Sequence, residues 1–352
     1  MDQPGLARPD EVLDENRLLS YLRSELGIAA DAVHARQFPS GYSNLTYLIT
    51  AGDRELVLRR PPFGTKAATA HDVTREFRLL QALHPHFAYC PQPVAHCDDE
   101  TVLGAPFFLM ERIAGLILRK DLPGALRLLT GDARRLSERL IDTLVELHSL
   151  DVDATGLGVL GKPQGYAQRQ VQGWSERYRT ARTPDAPACE RVMSWLAEHI
   201  PPDPRQPCLV HNDFRFDNIV LDPAAPTSVI GVLDWELAAV GDPLMDLGNS
   251  LAYWVQADDP AEMQAIRLAP THVGGMLTRA EVLDRYCRGR GIGEVDFRFY
   301  RCFGLFRLAV IAQQIYYRFF HSQTTDVRFK ALVHAVAILD RAAEQVLAPG
   351  HC

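Results

Sequence analysis

Apolar residues along this chain recur with two different periods, and the balance between them changes about a third of the way through. Leu18, Leu19, Leu22 and Leu26 fall at helical spacing and predict a short amphipathic helix over 16–27. FPSGYSNLTYLITAGDRELVLRRPP is strand-like instead: NLTYLIT and ELVLRR are β-rich, and AGDRE between them reads as a turn. HDVTREFRLLQAL (71–83) returns to helical spacing, and PVAHCDDETVLGAPFFLMERIAG supplies two more strands. The first third therefore predicts a small antiparallel sheet carrying one helix.

Beyond about residue 115 the helical period dominates. DARRLSERLIDTLVELHSL (132–150) is a long amphipathic helix, and 167–200 reads as helical segments broken near RTPDAPA. LVHNDFRFDNIVLD (209–222) and TSVIGVLDWE (227–236) predict a pair of short strands. PLMDLGNSLAYWV (243–255) starts a helix, and most of 278–348 is helical. The expected fold class is α+β, with a β-rich N-terminal lobe at 1–113 and a mainly helical lobe at 114–352, joined near 110–116. No internal repeat or low-complexity tract interrupts it.

Composition narrows the function classes. With 352 residues and 47% hydrophobic content, the chain can bury two cores. A formal net charge of −7 argues against a general nucleic-acid binder, which needs a basic face. No window approaches the roughly 18 uninterrupted apolar residues of a membrane span. The opening MDQPGLARPDEVLDENRLL is acidic and polar without an apolar signal core, so cytoplasmic residence is expected. The seven cysteines are an odd, scattered set without C-x-x-C, which speaks for reduced thiols over a zinc site or disulfide framework. Cys90 and Cys97 flank a proline-bearing stretch and are the pair best placed to approach each other; separate buried thiols are the expectation.

The chemistry concentrates in LVHNDFRFDNIVLD. Asp213 and Asn218 form D-x-x-x-x-N, and Asp234 follows at the end of the apolar run VIGVL. An aspartate, an amide and a second aspartate on neighbouring strand ends can converge on one point. Such a set suits phosphoryl transfer: one carboxylate orients an attacking hydroxyl and accepts its proton, while amide and carboxylate oxygens hold Mg²⁺ on nucleotide phosphates. Asp217 and Asp222 read as turn or capping residues. The chain contains no H-E-x-x-H, G-x-S-x-G or G-x-x-x-x-G-K-[ST], so an unrelated metal-dependent hydrolase would need ligands that His211 lacks around it.

The order Asp, Asn, Asp matches that of protein kinases. It resembles more closely the aminoglycoside phosphotransferase family, whose loop usually reads H-G-D-x-x-x-x-N and here reads His211-Asn212-Asp213-Phe214-Arg215-Phe216-Asp217-Asn218, followed by VLDWELAAVGDPLMDLG. Within that family, HxDFRxDNIV, VLDWE and GDPxxDL look most like the kinase-like domains associated with acyl-CoA dehydrogenases, over roughly 30–345. The resemblance implies a protein-kinase-like two-lobe fold with Asp213 as catalytic base and Asn218 and Asp234 as magnesium ligands. His211 would buttress the loop, and Arg215 is grouped with these catalytic residues. Asn212 departs from the usual Gly but tolerates left-handed backbone angles. Asp242 and Asp246 would support the loop and the following helix, with Glu236 as a further contact.

On the nucleotide side, the resemblance makes the turn holding Gly41, Tyr42, Ser43 and Asn44 the phosphate cover. Arg59 stands where kinases have lysine, with Arg60 as the alternative, and Glu76 matches the helix glutamate that pairs with this cation. FFLMERIAG becomes the hinge: Met110 borders adenine, while the Glu111 carbonyl and Ile113 N–H bond its edge. Tyr253 and Trp254 would line the acceptor mouth. Arg307, Gln313, Gln314, Tyr316 and Arg318 share one helix, and Arg307 or Arg318 turned inward would imply an anionic acceptor. The implied activity is ATP- and Mg²⁺-dependent transfer of the γ-phosphate to a hydroxyl of a small molecule, a hydroxyacyl-CoA or related metabolite, with GTP as the alternative donor. Two competing readings are a pseudokinase-like module binding nucleotide or acyl-CoA, motivated by Arg for Lys, and an antibiotic kinase, which would need an acidic acceptor cleft. The sequence leaves oligomeric state open.

Overall fold

The computed structural model describes residues 4–39, 44–62, 72–124, 126 and 128–347. The chain divides into two compact units, the first formed by 1–117 with 219–237 and the second by 118–218 with 238–352. The first unit thus runs past residue 113 and recruits a later segment that carries Asp234.

In chain order, α1 (Glu15–Leu26) precedes β1 (Val33–Gln37), β2 (Leu45–Ala51) and β3 (Arg54–Arg60). Then come α2 (Val73–Leu83), β4 (Pro93–Cys97), the single turn α3 (Glu100–Leu103) and β5 (Phe107–Glu111). Helices α4 (Thr130–His148), α5 (Tyr166–Ala181) and α6 (Glu190–Glu198) follow. Four short strands are next: β6 (Cys208–Val210), β7 (Ile219–Leu221), β8 (Val229–Val232) and β9 (Ala239–Gly241). Helices α7 (Pro243–Ala252), α8 (Ala261–Ile266), α9 (Arg279–Arg290), α10 (Arg298–Phe320) and α11 (Leu332–Val346) complete the chain.

In the first unit, five antiparallel strands lie in the order β1-β2-β3-β5-β4. Asp14 caps α1 by accepting the Asn16 and Arg17 N–H groups, and Gly27 closes it at φ 62°. The β2–β3 hairpin turns at Gly52, whose φ of 59° suits glycine. Alternation then sorts β3: Leu56 and Leu58 join Leu18, Leu22, Tyr47, Ile49 and Phe107 in the core on one face, so Val57 and Arg59 point to the other. Arg60 falls on the core side, buried, with its Nη1 donating to the Leu103 carbonyl at 2.8 Å.

The stretch expected to form one strand opposite 227–236 forms two. β7 does pair with β8, but β6 pairs with β9, a three-residue strand too short and too small in side chain to register as a pattern. Gly115 and Gly231 let the backbone close around β7 and β8: a Cβ at Gly115 would lie 2.5 Å from the Leu221 carbonyl oxygen. In the second unit α7 and α10 cross through two glycines. A Cβ at Gly304 would lie 2.1 Å from the Gly248 carbonyl oxygen. Among the described residues no helix is long and apolar enough to cross a membrane.

Candidate active site

In the second unit, β6 delivers the chain into a loop whose backbone is clamped from below. Asp246, fully buried on α7, accepts the His211 N–H at 2.6 Å on Oδ2 and the Asn212 N–H at 2.8 Å on Oδ1. His148 Nε2 lies 3.1 Å from the same Oδ2, and its Nδ1 lies 2.6 Å from the Tyr286 hydroxyl. A carboxylate only accepts, so His148 carries its proton on Nε2 and accepts the tyrosine hydroxyl on Nδ1. Burial pushes His148 below the ordinary histidine value and keeps it neutral. Burial alone would raise Asp246, but the hydrogen bonds from His148 and His211 hold it below the carboxylate range.

The clamp sets up the loop. Asn212 sits at φ 65°, in the left-handed region, and its Oδ1 accepts the Tyr166 hydroxyl at 3.0 Å. The Asp213 N–H donates to His211 Nδ1 at 3.2 Å, so His211 supports the turn from within. Phe214 and Phe216 anchor the loop in the core. Between them, Arg215 Nε donates to Asp213 Oδ1 at 3.1 Å and Nη1 to Asp217 Oδ2 at 2.9 Å. Burial would lower the Arg215 guanidinium, but Tyr253, Asp213 and Asp217 hold it above its usual value. Asn218 spends its amide nitrogen on Asp213, at 2.9 Å to the backbone oxygen and 2.8 Å to Oδ2. That choice leaves the hard oxygen Oδ1 of Asn218 for another ligand.

The first unit holds its own cluster. Arg59 Nη1 donates to Glu76 at 2.7 Å and to Asp234 at 3.0 Å, and Nη2 to Glu236 at 3.1 Å. Asn44 Nδ2 donates to the same Glu236 oxygen at 2.9 Å. Burial would lower Arg59, but Glu76, Asp234 and Glu236 outweigh it and hold it above its usual value. Glu76, sealed on α2, is pushed up to about 7 by burial, with Asp234 and Glu236 adding to it against Arg59. Three carboxylates facing one guanidinium leave local negative charge for a cation to neutralise. Asp234 itself sits at φ 66°, a strained angle for a non-glycine residue following a strand.

The remaining expected residues have the following surroundings. Met110 is buried in β5, where it pairs with Val57; the Glu111 N–H donates to the Gln92 carbonyl, and its side chain pairs with Arg54. Ile113 packs against Gly231. Gly41, Tyr42 and Ser43 lie outside the described residues, as does Cys352. Trp254 is a core residue whose Nε1 donates to the Leu277 carbonyl, and Tyr253 lies buried with Arg215 stacked 4.8 Å from its ring centroid. Gln313 is bonded to Ala181 and Thr183, and Tyr316 to Asp185; each ties α10 to the end of α5 and the segment beyond it. Arg318 is exposed. Asp242 caps α7 and is pushed up to about 6 by burial. The six described cysteines are free, Cys90 and Cys97 among them. His148, Tyr286 and Tyr166 went unread in the sequence; only His148, a histidine on the apolar stripe of α4, left any signal.

Residues 34–290 match the model of the phosphotransferase enzyme family, described by the name APH. The chain belongs to this family. Among curated relatives, acyl-CoA dehydrogenase family member 10 of Mus musculus is 37% identical over 323 residues, covering 91% of this chain and 30% of its own length. Acyl-CoA dehydrogenase family member 11 of Homo sapiens is 34% identical over 319 residues, covering 88% of this chain and 40% of the relative. The chain therefore spans about a third of the curated relatives it matches. A solved structure from Ralstonia eutropha, named provisionally as an aminoglycoside phosphotransferase, superposes with a TM-score of 0.79 at 28% identity, covering 95% of this chain and 98% of that one. The fold is also that of an aminoglycoside phosphotransferase solved with GDP and kanamycin, with a TM-score of 0.63 at 17% identity and coverage of 93% and 98%. The phosphotransferase family's kinase-like α+β fold thus accounts for both units. Among the described residues no three His, Cys, Asp or Glu side chains form a ready metal cluster; the donor set offered is amide and carboxylate oxygen, which suits magnesium.

Proposed function

We propose that this chain is a small-molecule O-phosphotransferase that uses Mg²⁺-ATP, or Mg²⁺-GTP, to phosphorylate a hydroxyl. The observation that carries the reading is the Asp213–Asn218 pair. Asn218 fixes the Asp213 carboxylate and keeps its own oxygen for a cation, an arrangement that a merely structural turn does not need. In this reading Asp213 orients the acceptor hydroxyl and takes its proton, and Arg215 fixes the carboxylate's second oxygen. Arg59, held in place by Glu76, steadies the nucleotide phosphates, with Asn44 beside it. Met110, Glu111 and Ile113 border the base. Asn218 and Asp234 hold magnesium, which when bound neutralises charge building on those phosphates. Catalysis then rests on positioning and charge stabilisation. The names of the curated relatives support a hydroxyacyl thioester of coenzyme A as acceptor class.

The test is direct. The protein is incubated with Mg²⁺-ATP or Mg²⁺-GTP and a panel of hydroxyacyl thioesters, hydroxy acids and aminoglycosides, and products are sought by the mass of one added phosphoryl group. Asp213→Asn is expected to lower turnover by about 10²–10⁴ with nucleotide affinity retained. Tight nucleotide binding with no phosphorylated product across the panel would replace this reading with that of a binding module.

A further inference from the structure

Among the described residues, no carboxylate bonds the Arg307 guanidinium. The residue lies in the middle of α10, only 3% exposed. Among the described residues its guanidinium stacks on the indole of Trp174, 4.9 Å from the ring centroid. The other guanidiniums buried to this degree among the described residues have polar partners: Arg59 meets three carboxylates, and Arg60 meets the carbonyls of Pro61 and Leu103. A guanidinium largely withdrawn from water bears a desolvation cost that one cation–π contact only partly returns, and such a residue is suited to a place where something else supplies negative charge.

The surroundings show where that charge would sit. Arg307 acts electrostatically on the hydroxyls of Tyr166 and Tyr253. Tyr166 bonds Asn212, and Tyr253 stacks against Arg215, so both tyrosines flank the loop that carries Asp213. The carboxylates in the same environment are already engaged. Asp213 and Asp217 are bonded by Arg215, Asp242 caps α7, and Asp246 clamps the loop backbone. None bonds Arg307. No guanidinium nitrogen of Arg307 is both sealed from solvent and unpartnered, so the little of this side chain that stays accessible includes its charged end.

We infer that Arg307 is a specificity residue that binds an anionic group, a carboxylate or a phosphate, on the acceptor whose hydroxyl faces Asp213. The inference rests on the phosphotransferase reading for the acceptor's fate, but not for the binding itself. It narrows the acceptor class: a polycationic antibiotic is disfavoured at this position, and a hydroxy acid or a phosphate-bearing hydroxy compound is favoured.

Anion binding is measured on the full chain by thermal shift and calorimetry with three probes: inorganic phosphate, 3-hydroxybutyrate and its neutral counterpart 1,3-butanediol. Wild type is expected to be stabilised by phosphate or by 3-hydroxybutyrate, the responding arm naming the anion, and not by the diol. Arg307→Met is expected to weaken that binding at least about 30-fold, the usual consequence of removing one partner of a buried charge pair. Arg307→Lys should retain part of it. Without ligand, Arg307→Met should melt at or above the wild-type temperature, because it replaces an uncompensated charge with apolar packing. Anion stabilisation that persists unchanged in Arg307→Met, no stabilisation of wild type by either anion, or a Met variant that melts far lower or fails to fold would each overturn the inference. Arg307-dependent anion binding in a protein that transfers no phosphoryl group would leave this site standing and sink only the catalytic reading.

Discussion

Asp242 shows how one side chain can be asked to do two incompatible things. It caps α7, which favours the ionised form, yet burial dominates and pushes it up to about 6 from an ordinary 3.8. A carboxyl whose folded value is raised contributes stability that is complete below about pH 4 and is lost as pH rises through about 6. The shift corresponds to roughly 3 kcal/mol. Asparagine caps nearly as well without titrating. Asp242→Asn should therefore flatten the loss of stability between about pH 4 and 6 and leave the variant more stable than wild type at pH 8, as read from urea midpoints; parallel pH curves would show that burial does not dominate. Tyr286→Phe, by contrast, leaves His148 Nδ1 without its donor. We expect a loss of about 1 kcal/mol and faster hydrogen exchange at the His211 and Asn212 amides, because the relay that steadies Asp246 loses its outer link. Neither residue announced this in the sequence. Asp242 was legible as an acidic position, but its raised value depends on neighbours brought by folding.

Among the elements, the helices and the N-terminal sheet were readable because their signals are local. The predicted helix at 16–27 is α1 at Glu15–Leu26, and 71–83 contains α2 at Val73–Leu83. Period and caps lie within a few residues of each other, so a linear pattern carries them. Strands of three residues carry no period, and β9 escaped for that reason. Helix crossings are also invisible to period. Gly304 reads as a weak helix residue, yet its missing side chain is what lets α10 approach α7. Gly304→Ala should force the helices apart and cost on the order of 1–3 kcal/mol or more. Gly131→Ala, in the first turn of α4 with its nearest heavy atom at 3.6 Å, should instead be neutral or stabilise by about 0.4–1 kcal/mol. Thermal unfolding of the two variants compares crossing against propensity. Equal effects would refute the packing account.

For the molecule as a whole, the discontinuity of the first unit matters most. Asp213 and Asn218 belong to the second unit, whereas Asp234, sixteen residues beyond Asn218, returns to the first with Arg59, Glu76 and Asn44. A ligand that binds only the folded chain should stabilise it by mass action, about 2.7 kcal/mol at a hundredfold excess over its dissociation constant. Mg²⁺ with ATP or GTP should raise the melting temperature more than either nucleotide with chelator, and an unchanged melting temperature in all cases would count against nucleotide use. The sequence by itself determined the α+β class and the Asp-Asn-Asp order, because both are written in short-range spacing, and its motif residues carried the resemblance to the family. It also set Asn212 where the backbone takes a left-handed angle. Only the tertiary structure decided that Arg59 and not Arg60 faces Glu76, that Tyr286 reaches the loop through His148 and Asp246, and that Arg307 is buried with no carboxylate bonded to it among the described residues. Those outcomes depend on which distant residues folding brings within a few ångströms, and the charge or hydrogen bond a side chain finds there is not encoded in its own neighbourhood along the chain.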